Sequence, residues 1–273
     1  MGMTPRSERF GLRSGLASET LVRRSLLEEI GESERIRITP NLNVVKLGGH
    51  GVIDYGRAVM HPLCTELGEL FRTDELLVVT GGGARVRHIM DVGLDLGMPT
   101  GVLAELSAKI SEQNATMVAL LLAPWGGTRI KQDDLLELPT LLRLRQLPVL
   151  HGTPPYGLYE HPARTGGIPP HRTDTGAFLT AEVMGAKSCI LGKNVDGLCT
   201  ADPKTDPDAE LIREITADEA LAMDLEDLVL EPMVLELMRE AVHVREIRIV
   251  NCTVPGNVTA AVRGKNVGTV IRS

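Results

Sequence analysis

The sequence predicts an α/β protein, a three-layer αβα sandwich around a mainly parallel central sheet. Short apolar segments rich in Val, Ile and Leu alternate along the chain with longer amphipathic segments, which is the order of strands and helices in such sheets. Hydrophobic residues make up 43% of the 273 residues and aromatic residues only 3%, so the core must consist mainly of aliphatic side chains. Strands that are buried on both faces have this composition.

The first half of this domain begins with two strands that run into glycines, NVVKLGG and ELLVVTGGGAR. Apolar residues at helical spacing separate them and follow the second strand. The pair Gln113–Asn114 is expected at a helix start. The predicted elements are strand 43–49, helix 55–73, strand 75–85, helices 87–97 and 106–123, and a segment 138–154 that combines a helix with the strand 147–152.

The second half opens with a loop rich in Pro and Gly at 153–172. Thr216 and Glu219 form a capping-box pattern, which marks the beginning of a helix. The predicted elements after the loop are helix 174–186, strand and turn 187–203, helices 215–223 and 232–243, and strands 246–251 and 267–272.

Residues 1–38 are polar and mixed in charge, and we predict that they form an extension to a domain at 39–273. The segment ETLVRRSLLEEIGE (19–32) is amphipathic and indicates either a short helix or a disordered tail. A helix there would be able to lie as an arm on a neighbouring subunit.

Composition excludes several classes of protein. The net charge is −7 with Lys and Arg dispersed, so no basic stripe for nucleic acid is present. The apolar runs are too short to span a membrane, and the amino terminus has no apolar signal-like stretch. The four cysteines are widely spaced, which favours buried thiols over a zinc site or disulfides. We therefore expect a cytoplasmic protein that binds neither nucleic acid nor membranes.

Three glycine-rich segments indicate a ligand with phosphate groups. They are KLGGHG (46–51), TGGGAR (80–85) and TDTGA (173–177). Glycines allow backbone N–H groups to approach a phosphate, and a helix amino terminus adds partial positive charge. One such turn is weak evidence, because a tight turn alone explains it, but three in one α/β chain favour a polyphosphate ligand. The P-loop and dinucleotide patterns are both absent.

Charged residues stand beside these glycines. Lys46 and Lys193 each end a predicted strand, and Asp174 lies at a predicted helix start. Lysine is a compact charge suited to phosphoryl transfer, although for either lysine alone a solvated strand end is the favoured explanation. Asp174 is either a simple N-cap or a carboxylate that orients a lysine or a metal ion.

Taken together, these motifs resemble the amino acid kinase superfamily and its uridylate kinase branch. The resemblance rests on VVKLGG (44–49), VVTGGGAR (78–85), RTDTGAFL (172–179), NVDGLCTADPKTD (194–206) and VPGNVTAAVRGKNVGTVI (254–271). It extends from about residue 40 to the end of the sequence. The segments EQNATMVALLLA and PPYGLYEHPARTGGIPPHRTDTGAFL are similar to a narrower group, the ATP-dependent molybdenum storage proteins.

The resemblance implies a role for each matching residue. Lys46, Asp174 and Lys193 are the implied catalytic residues, placed around the transferred phosphate. The implied nucleotide-binding residues are Gly48, Gly49, Gly81, Gly82, Gly83, Arg85, Thr173, Asn194, Asp196, Gly197, Leu198, Asp202 and Pro203. The second glycine loop, with Arg85, would lie near the phosphoryl acceptor.

The storage group further implies ATP and Mg²⁺ as ligands, and molybdate or tungstate as the stored oxyanion. It implies a homo-oligomer, or a hetero-oligomer with a similar subunit, closed as a hexamer. The cage histidines of that group are largely replaced here: Gln132 stands where a histidine is expected. His151, His161 and His171 remain as candidate oxometalate ligands.

Two alternatives stay open at the sequence level. One is a nucleoside monophosphate (UMP) kinase, although DLGMPTGVLAEL follows the second glycine loop in place of the kinase-like run GDHMGM. The other is a non-catalytic partner subunit that contributes only to the wall of the cage. The presence of Lys46 and Asp174 argues against this second alternative. A kinase that acts on a small carboxylate or carbamate is a more distant third.

Overall fold

The computed structural model describes residues 35–163, 166–201, 206–225 and 229–273. From Arg37 onward the described chain forms one compact unit. The predicted extension helix at 19–32 and the predicted site residues Asp202 and Pro203 lie outside the described residues. The predicted domain boundary after residue 38 stays a prediction.

A single eight-stranded sheet forms the centre of this unit. Its strands are β1 Leu42–Leu47, β2 Glu75–Thr80, β3 Gly127–Arg129, β4 Leu147–His151, β5 Ser188–Lys193, β6 Glu214–Thr216, β7 Glu246–Asn251 and β8 Thr269–Arg272. Their spatial order is β3-β4-β2-β1-β5-β7-β8-β6. Every neighbouring pair is parallel except β7 with β8. The predicted mainly parallel sheet is confirmed.

Helices cover both faces of the sheet and complete the three layers. They are α1 Arg57–Leu70, α2 Ala84–Asp95, α3 Thr100–Leu121, α4 Leu138–Arg143, α5 Thr173–Met184, α6 Ala217–Ala222, α7 Pro232–Met238 and α8 Asn257–Val262. Helix α1 contacts α3 and α8, whereas α5 and α6 contact α7. The predicted capping box is present, since Thr216 and Glu219 bond to each other's backbone N–H groups at the start of α6.

The sequence prediction misplaced one helix start and missed three short elements, β3, β6 and α8. Gln113 and Asn114 do not begin a helix: α3 begins at Thr100, directly after Pro99, and carries both residues in its interior. The preceding GVLAELSAKI has no helix breaker after Gly101, so the helix continues through it. Strand β3 was not predicted, because its three residues are too few to show an alternating pattern.

The chain order of the central strands determines where a ligand can bind. Strand β1 lies between β2 and β5, and all three are parallel, so their carboxyl ends meet at one edge. The chain moves to one side of β1 for β2 and to the other side for β5. Open α/β sheets bind ligands at such a change of direction, beyond the carboxyl ends of the strands.

The burial of the side chains along β1 identifies an unusual residue at this edge of the sheet. Leu42, Val44, Val45 and Leu47 are fully buried, as expected for a central strand. Lys46 lies among them with only 4% of its surface exposed. Lysine is almost never buried unless it is paired, so its partner identifies the site.

Candidate functional site

The glycine ends of β1, β2 and β5 pack directly against one another. The N–H of Gly48 donates to the carbonyl of Gly192 (2.9 Å), and the N–H of Gly81 donates to that of Leu47 (2.9 Å). A Cβ added to Gly49 would lie 1.9 Å from the backbone nitrogen of Gly83. The first and second glycine loops therefore touch through backbone atoms, and only glycine fits at position 49.

A buried ionic cluster lies beside these loops, and it consists of the three predicted catalytic residues. Lys46 Nζ is 2.8 Å from Asp174 Oδ1, and Lys193 Nζ donates to Asp174 Oδ2 at 2.6 Å. Asp174 is 3% exposed. One carboxylate thus bridges the ends of β1 and β5. Each carboxylate oxygen of Asp174 therefore faces one ammonium group.

The charges of this cluster depend on one another. Burial alone would raise the pKa of Asp174, but Lys193 and Lys46 more than offset it and hold the pKa well below its usual range. Burial lowers the pKa of Lys193, and the charge of Asp174 opposes that change. Asp174 is therefore ionised at neutral pH. Its two ammonium partners are positioned before any ligand arrives, which is the arrangement that stabilises developing negative charge.

The first turn of α5 holds Asp174 in place, and a carboxylate distant in sequence caps that turn. Thr173 is the first helical residue. Glu231, 7% exposed, accepts hydrogen bonds from the N–H of Asp174 (2.9 Å) and the N–H of Thr175 (2.9 Å). Sequence reasoning missed Glu231, because an acidic residue before Pro232 is an ordinary helix start, and nothing local indicates burial.

The turn after β5 brings the other predicted nucleotide-binding residues to the same edge. Asn194 is exposed, and its side chain lies 3.5 Å from the hydroxyl of Tyr55. Asp196 accepts a hydrogen bond from the side chain of Asn251 (2.8 Å). The N–H of Leu198 donates to Thr269 Oγ1 (2.8 Å), and a Cβ on Gly197 would lie 2.3 Å from that same oxygen. The turn is therefore shaped by β7 and β8.

Two groups of the second glycine loop that could bind an anion, the N–H of Ala84 and the guanidinium of Arg85, already have partners. Asp54 Oδ2 accepts from the N–H of Ala84 (2.6 Å), at the amino terminus of α2. The guanidinium of Arg85 bonds to Gln113 Oε1 (3.2 Å) and to Asn114 Oδ1. Asn114 in turn donates to the carbonyl of Gly81 (2.7 Å). Neither Asp54 nor the buried role of Asn114 was predicted, since both contacts join segments far apart in sequence.

The three candidate histidines are divided between two places. His161 and His171 lie together, with ring centroids 5.5 Å apart, next to the ring of Tyr156. His171 Nδ1 is 2.9 Å from a carboxylate oxygen of Glu160, and both residues are buried. His171 is therefore already paired. Sequence reasoning did not identify Glu160 as its partner.

His151 is the last residue of β4, and it lines a cavity of about 290 Å³ whose lining does not include His161 or His171. Burial lowers the pKa of His151, so its ring is neutral at pH 7. Its Nδ1 atom is buried and without a hydrogen-bond partner in the described chain. The cavity is also lined by Lys109, Glu112, Lys131 and Gln132. A neutral imidazole with a free nitrogen is a good ligand for a metal centre.

A larger cavity of about 440 Å³ lies at the opposite edge of the sheet, at the amino ends of β5 and β7. Lys187, Arg245 and Arg248 are among its lining residues, and none of the predicted site residues is. Its size does not make it the functional site, because the buried ionic cluster and the glycine loops lie at the other edge.

The chain is similar in sequence to proteins of one known family. Residues 41–251 match the Amino acid kinase family. The chain is 43% identical to the molybdenum storage protein subunit beta of Azotobacter vinelandii, over 93% of this chain and 96% of that protein. It is 30% identical to the uridylate kinase of Thermofilum pendens, over 85% of this chain and 98% of that protein.

Solved structures of uridylate kinases have the same fold. The enzyme from Archaeoglobus fulgidus matches with a TM-score of 0.66 at 23% identity, over 84% of this chain and 99% of that one. The UMP kinase from Bacillus anthracis matches with a TM-score of 0.67 at 18% identity, over 86% of this chain and 96% of that one. Because both identities are low, these two structures show a shared fold and nothing further.

Proposed function

Because the chain belongs to the amino acid kinase family, in the branch of the molybdenum storage protein subunits, we propose that it binds Mg-ATP at the carboxyl edge of its sheet and uses ATP hydrolysis to store molybdate or tungstate. The observation that carries the proposal is the buried cluster of Lys46, Asp174 and Lys193 beside three glycine ends. Burying two lysines around one carboxylate costs desolvation free energy. A role in phosphate binding explains why the chain has this costly arrangement.

Each part of the cluster has a chemical task in this proposal. The ammonium groups of Lys46 and Lys193 bind the terminal phosphates, and the backbone N–H groups of the first glycine loop approach the same oxygens. Asp174 keeps both lysines aligned at the point where charge develops.

The described residues fit a magnesium ion that arrives with the nucleotide. They contain no group of three or more His, Cys, Asp or Glu side chains arranged to hold a resident ion. Mg²⁺ in nucleotide sites takes phosphate oxygens, water and only one or two carboxylates. The phosphate oxygens of the nucleotide and water would hold the ion, because both oxygens of Asp174 already face an ammonium group. When bound, the ion neutralises charge on the phosphate oxygens.

The stored oxyanion would lie in the cavity of His151. The ring of His151 lines this cavity, and Lys109 and Lys131 would supply positive charge for the oxygens. Glu105, Glu112 and Asp133 also line it, so the cavity is mixed in charge and its carboxylates outnumber its lysines. His161 and His171 form a second candidate position, in which the pairing of His171 with Glu160 leaves His161 as the freer ligand.

Storage requires a closed assembly, and we propose a hexamer of this chain alone or with a similar subunit. Helices α2 and α3 pack on each other and leave apolar side chains on their outer surface: Val92, Leu96, Met117 and Leu120, the last 71% exposed. A neighbouring subunit in such an assembly would cover these side chains. Closed symmetric oligomers are the usual form of such assemblies.

The second glycine loop favours water over a nucleotide as the phosphoryl acceptor. Asp54 already occupies the N–H group at the amino terminus of α2, and Arg85 is bound to Gln113 and Asn114. A carboxylate at that position repels an incoming phosphate. The UMP kinase alternative therefore has less support than hydrolysis.

The products of ATP turnover test this proposal. The protein is incubated with Mg-ATP alone, with molybdate, and with UMP, and nucleotides and phosphate are quantified by chromatography. We expect ADP and inorganic phosphate, with release stimulated by molybdate and with no UDP. Stoichiometric UDP would identify a nucleoside monophosphate kinase instead, and absence of ATP turnover in all three arms would contradict hydrolysis by this chain alone.

A further inference from the structure

Glu231 makes contacts that a surface helix cap does not make. Its Oε2 atom accepts from Thr175 Oγ1 (2.7 Å), from the N–H of Thr175 (2.9 Å) and from the N–H of Arg172 (3.2 Å). Its Oε1 atom accepts from the N–H of Asp174 (2.9 Å). One buried carboxylate thus accepts from three backbone N–H groups at the start of α5, where N–H groups have no partner within the helix. The backbone of Asp174 is fixed by that turn.

The same carboxylate completes a balance of buried charge. Lys46 and Lys193 are two cations, and Asp174 is one anion between them. Glu231 is a second buried anion, whose charge acts on Lys193. Two buried thiols lie near this cluster in the described chain: that of Cys252 faces both lysines and that of Cys189 faces Asp174, and burial raises the pKa of both thiols to about 12. The thiols are therefore neutral, and the four charges cancel.

We propose that Glu231 is a positioning residue of the phosphate site, which holds Asp174 between the two lysines and keeps the buried cluster neutral until a phosphate group binds. The inference rests on the proposed nucleotide site and adds to it a group that does not touch the ligand. Glu231 acts through Asp174 by its hydrogen bonds and on Lys193 by its charge.

Two substitutions separate these two actions. Glu231→Gln keeps the size of the side chain but removes the charge, and it turns one acceptor oxygen into an NH₂ group that faces backbone N–H donors. Glu231→Asp keeps the charge but shortens the reach. Glu240→Gln, at an exposed position after α7, is the matched control.

The first readout needs no nucleotide. Lysine side chains are labelled with ¹³C, the Lys193 signal is assigned from its absence in Lys193→Arg, and its titration midpoint is followed by NMR. Glu231→Gln is expected to move the midpoint to lower pH, because a stabilising anion is lost. Glu231→Asp is expected to move it less, and Glu240→Gln not at all. If Glu231→Gln does not fold, Glu231→Asp still tests the positioning of Asp174, through a fall in kcat that Glu240→Gln does not show.

The second readout is the steady-state rate of ATP hydrolysis. In Glu231→Gln we expect kcat to fall at least tenfold while KM for Mg-ATP stays equal or falls, since losing a nearby anion does not weaken phosphate binding. An unmoved Lys193 midpoint, with lower thermal stability as the only change, would make Glu231 a structural cap and overturn the inference. If the wild-type protein hydrolyses no ATP, the proposed function fails, and the Lys193 midpoint still decides the role of Glu231.

Discussion

Replacement of Asp174 by Asn is expected to abolish ATP turnover, with kcat reduced about 10²- to 10³-fold, the effect of removing one preorganised electrostatic group from an active site. The amide has nearly the same shape but no charge, so Lys46 and Lys193 lose the anion that aligns them. Both lysines then repel each other in a buried site. Asp91→Asn, on the exposed surface of α2, is the control and should retain full turnover.

The same substitution is expected to destabilise the fold by about 3–5 kcal/mol, because it leaves buried charge uncompensated. Chemical denaturation measures this difference. The double variant Lys46→Met/Asp174→Asn removes one cation with the anion, and it should regain much of the stability but none of the turnover. If Asp174→Asn retains turnover above a tenth of the wild-type value, the cluster is not the site of chemistry.

The stability difference should also depend on pH, in a direction that the structure determines. The pKa of Asp174 is lowered in the folded protein, so its contribution is fully present above its unfolded pKa of about 4 and is lost as the pH falls through the lower folded value. The difference between the wild type and Asp174→Asn should therefore shrink below about pH 4.

Replacement of Gly49 by Ala is expected to have the second largest effect, because it separates the two glycine loops. The new Cβ would lie 1.9 Å from the nitrogen and 2.4 Å from the Cα of Gly83, and backbone atoms cannot move aside as a flexible side chain does. We expect a loss of about 3 kcal/mol in unfolding free energy, at the upper end of overpacking effects. Affinity for Mg-ATP, measured by calorimetry, should fall at least tenfold.

Gly97→Ala is the matched control for this substitution. Gly97 has a positive φ of 69° but free space around its Cβ position, so alanine there meets only the conformational cost of about 1–2 kcal/mol. Nucleotide affinity should be unchanged. Equal nucleotide affinity in Gly49→Ala and wild type would mean that the first glycine loop does not contact the phosphates.

The centre of the site was predictable because its signals are local. Lys46, Asp174 and Lys193 each stand next to glycines at the end of an element, and parallel strands bring such ends together. The supporting groups were not predictable in this way. Glu231 is 57 residues from Asp174, and Asp54 is 30 residues from Ala84. Acidic side chains at helix starts are common, and only the fold shows which of them are buried against a site.

The candidate histidines were identified in the sequence, but the fold does not bring all three of them together. The resemblance to the storage group and residue type together grouped His151, His161 and His171 as oxometalate ligands, but His171 pairs with Glu160 and His151 lines a separate cavity. Helix α3 shows that a motif can be noticed and misplaced: Asn114 lies in the helix interior, and it binds the second glycine loop from there. Pairing partners depend on tertiary contacts, which composition and periodicity do not encode.

The molybdenum content of the protein tests the central proposal most directly. The purified full chain is incubated with molybdate and Mg-ATP, with molybdate alone, and with both ligands in the Asp174→Asn variant, then desalted and analysed by elemental mass spectrometry. We predict many molybdenum atoms per subunit only when wild-type protein and ATP are both present. A count near zero with ATP, or an equal count without ATP or in Asp174→Asn, would contradict ATP-driven storage by this chain.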